Sequence, residues 1–143
     1  MGILTVYDNK SCKHGLKSAW GFACVVDRRI LFDTGGEGST LLSNMRALGV
    51  DLSKIEALVL SHEHWDHTGG VSAFLEAVRE AGKEVRVFVP ALSLRVSSRS
   101  FRRLMLSLRL LRFSRTPLRK FLVMVMPSQQ VSSALGRRSK HSS

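Results

Sequence analysis

Residues 91–143 contain no aspartate and no glutamate. Ordinary chains carry roughly an eighth of their residues as acids, so about six belong in a stretch of this length. The same stretch holds 12 of the 22 Lys and Arg residues, together with 12 serines. Residues 1–90 hold the other 10 basic residues and all 11 acids. The formal charge of +11 therefore describes the C-terminal segment and implies no nucleic-acid partner for the first ninety residues. Two cysteines, Cys12 and Cys24, are too few for a disulfide framework. Cys24 lies in an apolar strand pattern and reads as a small hydrophobe, whereas Cys12 lies in a polar loop and reads as an exposed thiol. No charged N-terminal region leads into an apolar one, so no signal peptide is expected. The longest apolar run of the C-terminal segment, residues 121–126, is far short of the roughly 20 residues that span a membrane. No membrane span and a cytoplasmic location are the expectation.

Histidine is also scarce, with five in 143 residues, but three of them fall within six positions. The stretch is Ser61-His62-Glu63-His64-Trp65-Asp66-His67-Thr68-Gly69-Gly70. It follows an apolar run over residues 57–60 and precedes a helical pattern. Imidazole and carboxylate are the borderline donors that zinc or ferrous iron accepts. His62 and His64 are two apart, so an extended backbone directs both to one side. Asp66 and His67 lie past the bend, where they can serve a second ion. Ions in a two-metal site sit roughly 3.5–4 Å apart. Packing alone gives H-x-H-x-D-H no purpose.

The surrounding pattern is α/β. Residues 3–7 read as a strand ended by Asp8 and Asn9, and residues 10–18 as a polar loop carrying His14. Residues 20–26 and 30–32 read as a hairpin around the turn Asp27-Arg28-Arg29. Asp33 stands at the strand end, followed by Thr34-Gly35-Gly36. Ser39 or Thr40 is placed to cap a helix with Leu41, Leu42, Met45 and Leu48 on its apolar face, and Gly49 is placed to stop it. Ser53-Lys54-Ile55-Glu56 fits a capping box. Val71, Phe74, Leu75 and Val78 predict a second helix ending at Gly82. Val85-Arg86-Val87-Phe88-Val89 predicts a strand stopped by Pro90.

The Ser61–Gly70 stretch resembles the H-x-H-x-D-H motif of the metallo-β-lactamase superfamily, and Phe32-Asp33-Thr34-Gly35 resembles its upstream D-T-G motif. Tyr7-Asp8-Asn9, Trp20-Gly21-Phe22 and His64-Trp65-Asp66-His67 resemble one branch of that superfamily. The branch comprises archaeal and bacterial metal-dependent hydrolases grouped with a dihydropterin-ribofuranosyl-aminobenzene-phosphate synthase. The resemblance covers about residues 2 to 90. It implies the N-terminal half of a four-layer αβ/βα sandwich, a fold that usually needs well over 200 residues. It implies two zinc ions, with iron or manganese open as substitutes: His62 and His64 on one ion, Asp66 and His67 on the other. Asp33 is then the carboxylate that holds the His loop, although a turn-forming role bonding its own backbone is the alternative. Asp66 would also orient the nucleophile, a metal-activated hydroxide attacking an ester, phosphoester, thioester or amide of a small-molecule substrate. Glu63 points away on an extended backbone and is left out, and Trp65 is expected to pack the loop.

Superfamily members complete the site from a second half. Here the only histidine after His67 is His141, and no aspartate follows Asp66. Residues 1–90 are thus expected to be a half domain, and residues 91–143 a poorly ordered or helical basic tail. Three readings of that tail stand: a basic arm for nucleic acid or a membrane surface, a divergent second half, or out-of-frame sequence. The out-of-frame reading best explains the abrupt change in composition. Weak metal binding, little turnover, and self-association or aggregation through an exposed sheet face are the corresponding expectations. Two functional alternatives stand beside the hydrolase: a non-enzymatic nucleic-acid-binding protein working through residues 91–143, and methanopterin-pathway-type synthase chemistry.

Overall fold

A computed structural model describes residues 1–11, 13–90 and 121–126 of the chain. Its strands are β1 (Ile3–Tyr7), β2 (Ala23–Val26), β3 (Ile30–Phe32), β4 (Ala57–Val59), β5 (Val85–Pro90) and β6 (Phe121–Met126). Its helices are α1 (Gly38–Ala47), α2 (Trp65–Thr68) and α3 (Val71–Glu80), with a 3₁₀ turn at Leu52–Lys54. The strands form one sheet in chain order, β1-β2-β3-β4-β5-β6. The β1–β2 and β2–β3 pairs are antiparallel, and the remaining pairs are parallel. A mixed α/β architecture follows, as expected.

The hairpin turn is set by Asp27 and Arg28, both at positive φ (49° and 57°), with Arg29 N–H donating to Val26 O at 3.0 Å. Positive φ at both central residues is the signature of a type I′ turn, whose twist matches that of the strands it joins. Strand β2 begins at Ala23, three residues later than the sequence pattern suggested. Phe22 N–H instead donates to Asp66 O at 3.3 Å, so the residues before β2 are drawn off toward the His loop.

One face of the sheet carries Val25, Leu31, Leu58 and Val87, which lie in register across four strands. These residues join Leu41 and Met45 of α1 and Val71, Phe74, Leu75 and Val78 of α3 in one core cluster. The α3 residues recur at i, i+3, i+4 and i+7, one stripe of a helix. Burying each of the larger side chains contributes roughly 1.5–3 kcal/mol. The opposite face carries Thr5, Cys24, Phe32, Val59 and Phe88 in register, and Phe32, Val59 and Phe88 are only half-buried.

Helix α1 stops as the sequence indicates. Gly49 takes φ 67°, its N–H donates to Arg46 O, and Val50 N–H reaches back to Met45 O. That pair of bonds is a Schellman ending, which needs a left-handed residue at the glycine position. The helix starts differently from expectation. Its cap residue is Glu37, and Thr40 lies inside the first turn with its hydroxyl donating to Glu37 Oε2 at 3.0 Å. Neither Ser39 nor Thr40 caps it, because Gly38 already has helical backbone. The capping box at Ser53 is likewise replaced by Asp51, whose Oδ1 accepts from Ser53 N–H at 2.9 Å.

The sheet takes its sixth strand from within the basic segment. The apolar run Phe121–Met126 pairs in parallel with β5, Val85 facing Phe121 and Pro90 facing Met126. The expectations for the other residues of the segment, disorder, helix, out-of-frame sequence or a nucleic-acid arm, lie outside the described residues, as does Cys12. Cys24 is a free, buried cysteine, the small hydrophobe expected. Among the described residues, no helix is long and apolar enough to cross a membrane.

Candidate metal centre

Strands β3 and β4 run parallel with Phe32 beside Val59. Their ends therefore bring Asp33 level with the residues leaving β4. Asp33 extends the pairing by one bond, its N–H donating to Val59 O at 2.9 Å. It then turns with φ 56°, a left-handed conformation uncommon outside glycine but tolerated by aspartate. The turn sends its carboxylate inward, where the residue is 1% exposed.

A carboxylate only accepts hydrogen bonds, and three donors meet this one. Ser61 N–H donates to Oδ1 at 2.8 Å, Ser61 Oγ–H to Oδ2 at 2.7 Å, and His67 Nδ1–H to Oδ2 at 2.8 Å. Fixing Nδ1 leaves His67 Nε2 on the far side of the ring, 3.6 Å from Asp66 Oδ2. Metal-binding histidines are oriented in this way by a carboxylate on the other nitrogen.

The backbone of the loop is held as tightly. His64 is the cap residue of α2, and its carbonyl accepts from His67 N–H, Thr68 N–H and the Thr68 hydroxyl. The His67 carbonyl accepts from both the N–H and the hydroxyl of Thr34, each at 2.9 Å. Gly69 and Gly70 follow where the loop crosses the Thr34–Gly36 backbone. A Cβ on Gly70 would lie 2.5 Å from Thr34 O, and one on Gly69 would collide with Gly36 O. Only glycines permit this approach.

The histidine rings gather above this frame. The centroids of His62 and His67 are 4.1 Å apart, and those of His62 and His64 are 4.7 Å apart. One donor atom from each of His62, Asp66 and His67 can be chosen so that all lie within 4.8 Å of one another. His64, exposed, stands beside this group, and Glu63 does not join it. The grouping draws on both expected pairs, His62–His64 and Asp66–His67, with Asp66 and His67 carried past the bend on α2. A nitrogen, nitrogen and oxygen donor set with mutual spacing under 5 Å suits a borderline divalent ion.

Trp65 covers Gly36 with its ring but remains 55% exposed, so it packs the loop on one side only. His14 is exposed in the loop between β1 and β2. Three residues given no role on sequence grounds prove important. Ser61 and Thr34 hold the loop as described, and the buried Tyr7 accepts from Glu37 N–H through its hydroxyl at 3.1 Å. Burial pushes the Tyr7 phenol above its ordinary range. Thr34 belongs to the D-T-G motif and Ser61 immediately precedes His62, and these placements are the signal the sequence offers for them.

Several known proteins are similar to this chain. The family model described as the metallo-beta-lactamase superfamily matches residues 18–123, and so runs past residue 90. Over 63 residues the chain is 38% identical to 7,8-dihydropterin-6-methyl-4-(beta-D-ribofuranosyl)-aminobenzene-5'-phosphate synthase of Methanocaldococcus jannaschii, covering 44% of this chain and 20% of that protein. Among solved structures it is similar to the metallo-beta-lactamase SMB-1 bound to 2-mercaptoethanesulfonate. That match has a TM-score of 0.42 and 26% identity over 60% of this chain and 32% of the other. It is also similar to the metallo-beta-lactamase fold protein YhfI from Bacillus subtilis, with a TM-score of 0.49 and 15% identity over 89% of this chain and 46% of that one. The chain thus spans from a fifth to less than half of the length of these relatives. With the family model covering most of its length and the His/Asp cluster in place, the chain belongs to the metallo-β-lactamase superfamily, whose fold implies a divalent metal.

Proposed function

We propose that this chain carries the metal-binding part of a metal-dependent hydrolase acting on an ester, phosphoester, thioester or amide of a small molecule. The observation that supports this most is the convergence of His62, Asp66 and His67, one donor atom each within 4.8 Å of the others. Among the described residues three protein donors converge, the number that a catalytic zinc site takes from the protein. When bound, such an ion acts as a Lewis acid and lowers the pKa of the water it holds toward ~7. The residues of the chain supply binding and orientation. His62 and His67 offer ring nitrogens. Asp66 offers a carboxylate oxygen and directs the nucleophile. Asp33 holds the His67 ring, and Thr34 and Thr68 hold the loop backbone beneath it.

Two zinc ions are the finer form of this reading, with His64 as the ligand toward the second, since its ring stands 4.7 Å from that of His62. Iron or manganese would accept the same donors. The test is equilibrium dialysis of the full chain against Zn²⁺, Fe²⁺ and Mn²⁺, followed by assay of the loaded protein on nitrophenyl esters and phosphoesters. Metal uptake that disappears in the double variant His62→Ala, His67→Ala is expected. A wild-type chain that takes up no metal, or a double variant that takes up as much, overturns the proposal. The similarity to the M. jannaschii protein favours a second reading, synthase-type chemistry on a pterin-containing substrate. Metal uptake without hydrolysis of any test ester would favour that reading over the first.

A further inference from the structure

We propose that Ser61 is a positioning residue whose hydroxyl links buried Asp33 to His62 and so decides which ring nitrogen His62 offers to a metal. The inference rests on the metal-site reading above and goes beyond it, because no motif role attaches to the serine.

The argument is a count of protons. Ser61 Oγ carries one hydrogen and meets two partners, Asp33 Oδ2 at 2.7 Å and His62 Nδ1 at 2.8 Å. If the hydroxyl donated to His62, two oxygens carrying only lone pairs would face each other at 2.7 Å, with no proton between Ser61 and Asp33. The carboxylate cannot supply one. The hydroxyl therefore donates to Asp33, and His62 must donate to the hydroxyl. That places the hydrogen of the His62 ring on Nδ1 and the lone pair on Nε2, the atom left for coordination.

The same carboxylate oxygen also receives His67 Nδ1–H directly, at 2.8 Å. One buried oxygen, Asp33 Oδ2, thus sets both rings in the same tautomer, His67 by contact and His62 through Ser61. The backbone supports the relay, since Ser61 N–H donates to Asp33 Oδ1 at 2.8 Å and pins the serine on the carboxylate. The two rings it aligns are the pair at 4.1 Å, each with Nε2 free for one ion. Partners of this kind orient a ligand and raise its basicity, and their loss typically weakens metal affinity by about 10- to 100-fold.

The experiment is imidazole ¹⁵N NMR on the full chain without metal at about pH 8, above the usual histidine range. Zn²⁺ titrations of the wild type, Ser61→Ala and Ser61→Thr accompany it. In the wild type, both His62 and His67 are expected as Nδ1–H tautomers. In Ser61→Ala, His67 should keep its tautomer, because Asp33 still holds it, while His62 loses its preference and Zn²⁺ affinity falls about 10- to 100-fold. Ser61→Thr keeps the hydroxyl, and the exposed position has room for the methyl group, so both properties should return. A general loss of folding would not spare His67 while moving His62. Wild-type His62 found as the Nε2–H form overturns the proposal, and that result needs no variant to fold. An unchanged His62 tautomer and unchanged Zn²⁺ affinity in Ser61→Ala overturn it equally. A wild type that takes up no Zn²⁺ defeats the proposed function, while the tautomers still decide the role of Ser61.

Discussion

Phe74 and Asp33 are both sealed from solvent, at 0% and 1% exposure, but for opposite reasons. Phe74 sits in a cluster of apolar residues drawn from α1, α3 and one face of the sheet, where attraction is non-directional and shared among many partners. Asp33 sits at the strand ends with three donors aimed at two oxygens. Each of its bonds has one geometry, and each donor has few alternatives. The core region therefore carries stability, and the loop region carries shape. A substitution in the first should be felt by the whole fold, and one in the second mainly by the histidines.

Three experiments bear on that contrast. The largest effect should come from Phe74→Ala, which removes a fully buried ring and should cost about 3–5 kcal/mol in a urea titration. Protein that remains folded should still take up metal as the wild type does. If metal uptake failed in the folded fraction, the two regions would not be separable.

Asp33→Ala should cost less stability, about 1–3 kcal/mol in all, because Ser61 is exposed and His67 partly so, and water can satisfy the donors that Asp33 releases. It should cost more metal, with Zn²⁺ affinity falling by about 10- to 100-fold or beyond, since both rings lose their anchor. A variant that loses stability but binds Zn²⁺ like the wild type would make Asp33 a core residue and erase the contrast.

The smallest effect concerns Cys24, which lies between the regions on the less covered face of the sheet. Burial, and secondarily the Asp33 carboxylate, push its thiol above the ordinary range. The protonated form is thus favoured in the folded chain. Its contribution is fully present below the ordinary thiol value and is lost as pH rises through the raised one. Iodoacetamide labelling read by mass spectrometry should be slow at Cys24 in native protein and fast in urea. In Asp33→Ala, labelling should begin at lower pH than in the wild type. An unchanged profile in that variant would remove the electrostatic contribution and leave burial alone.

The less covered face of the sheet carries partly exposed apolar residues. Phe32, Val59 and Phe88 are half-buried in register there, and Ile30 is 37% exposed. We propose this face as the surface through which copies of the chain would associate.

Much of the fold was legible because it depends on neighbours in sequence. The stripe of Val71, Phe74, Leu75 and Val78 marks α3, and Gly49 ends α1, since both follow from helical spacing and from the left-handed freedom of glycine. Cap positions were less legible. Ser39, Thr40 and Ser53 are good cap residues by type, but Glu37 and Asp51 occupy the cap positions, because capping depends on where helical backbone begins. The start of β2 was misplaced for a related reason: Phe22 has strand character but is bonded to Asp66. The run Phe121–Met126 had the composition of a strand, but nothing local to it indicates that it pairs with β5.

At the site, the sequence by itself marked His62, His64, Asp66 and His67, because three imidazoles and a carboxylate within six residues make a donor set that a borderline metal accepts. It also indicated that they follow a buried strand. Only the tertiary structure decided that His62, Asp66 and His67 converge while His64 stands aside, because that depends on the turn of α2. Only it decided that Ser61 joins Asp33 to His62. Asp33 lies 28 residues from Ser61 and 34 from His67, and the parallel alignment of β3 and β4 brings them together. Spacing along a chain sets which residues can share one local face. Hydrogen bonds between strand ends are set by register, which is a property of the sheet.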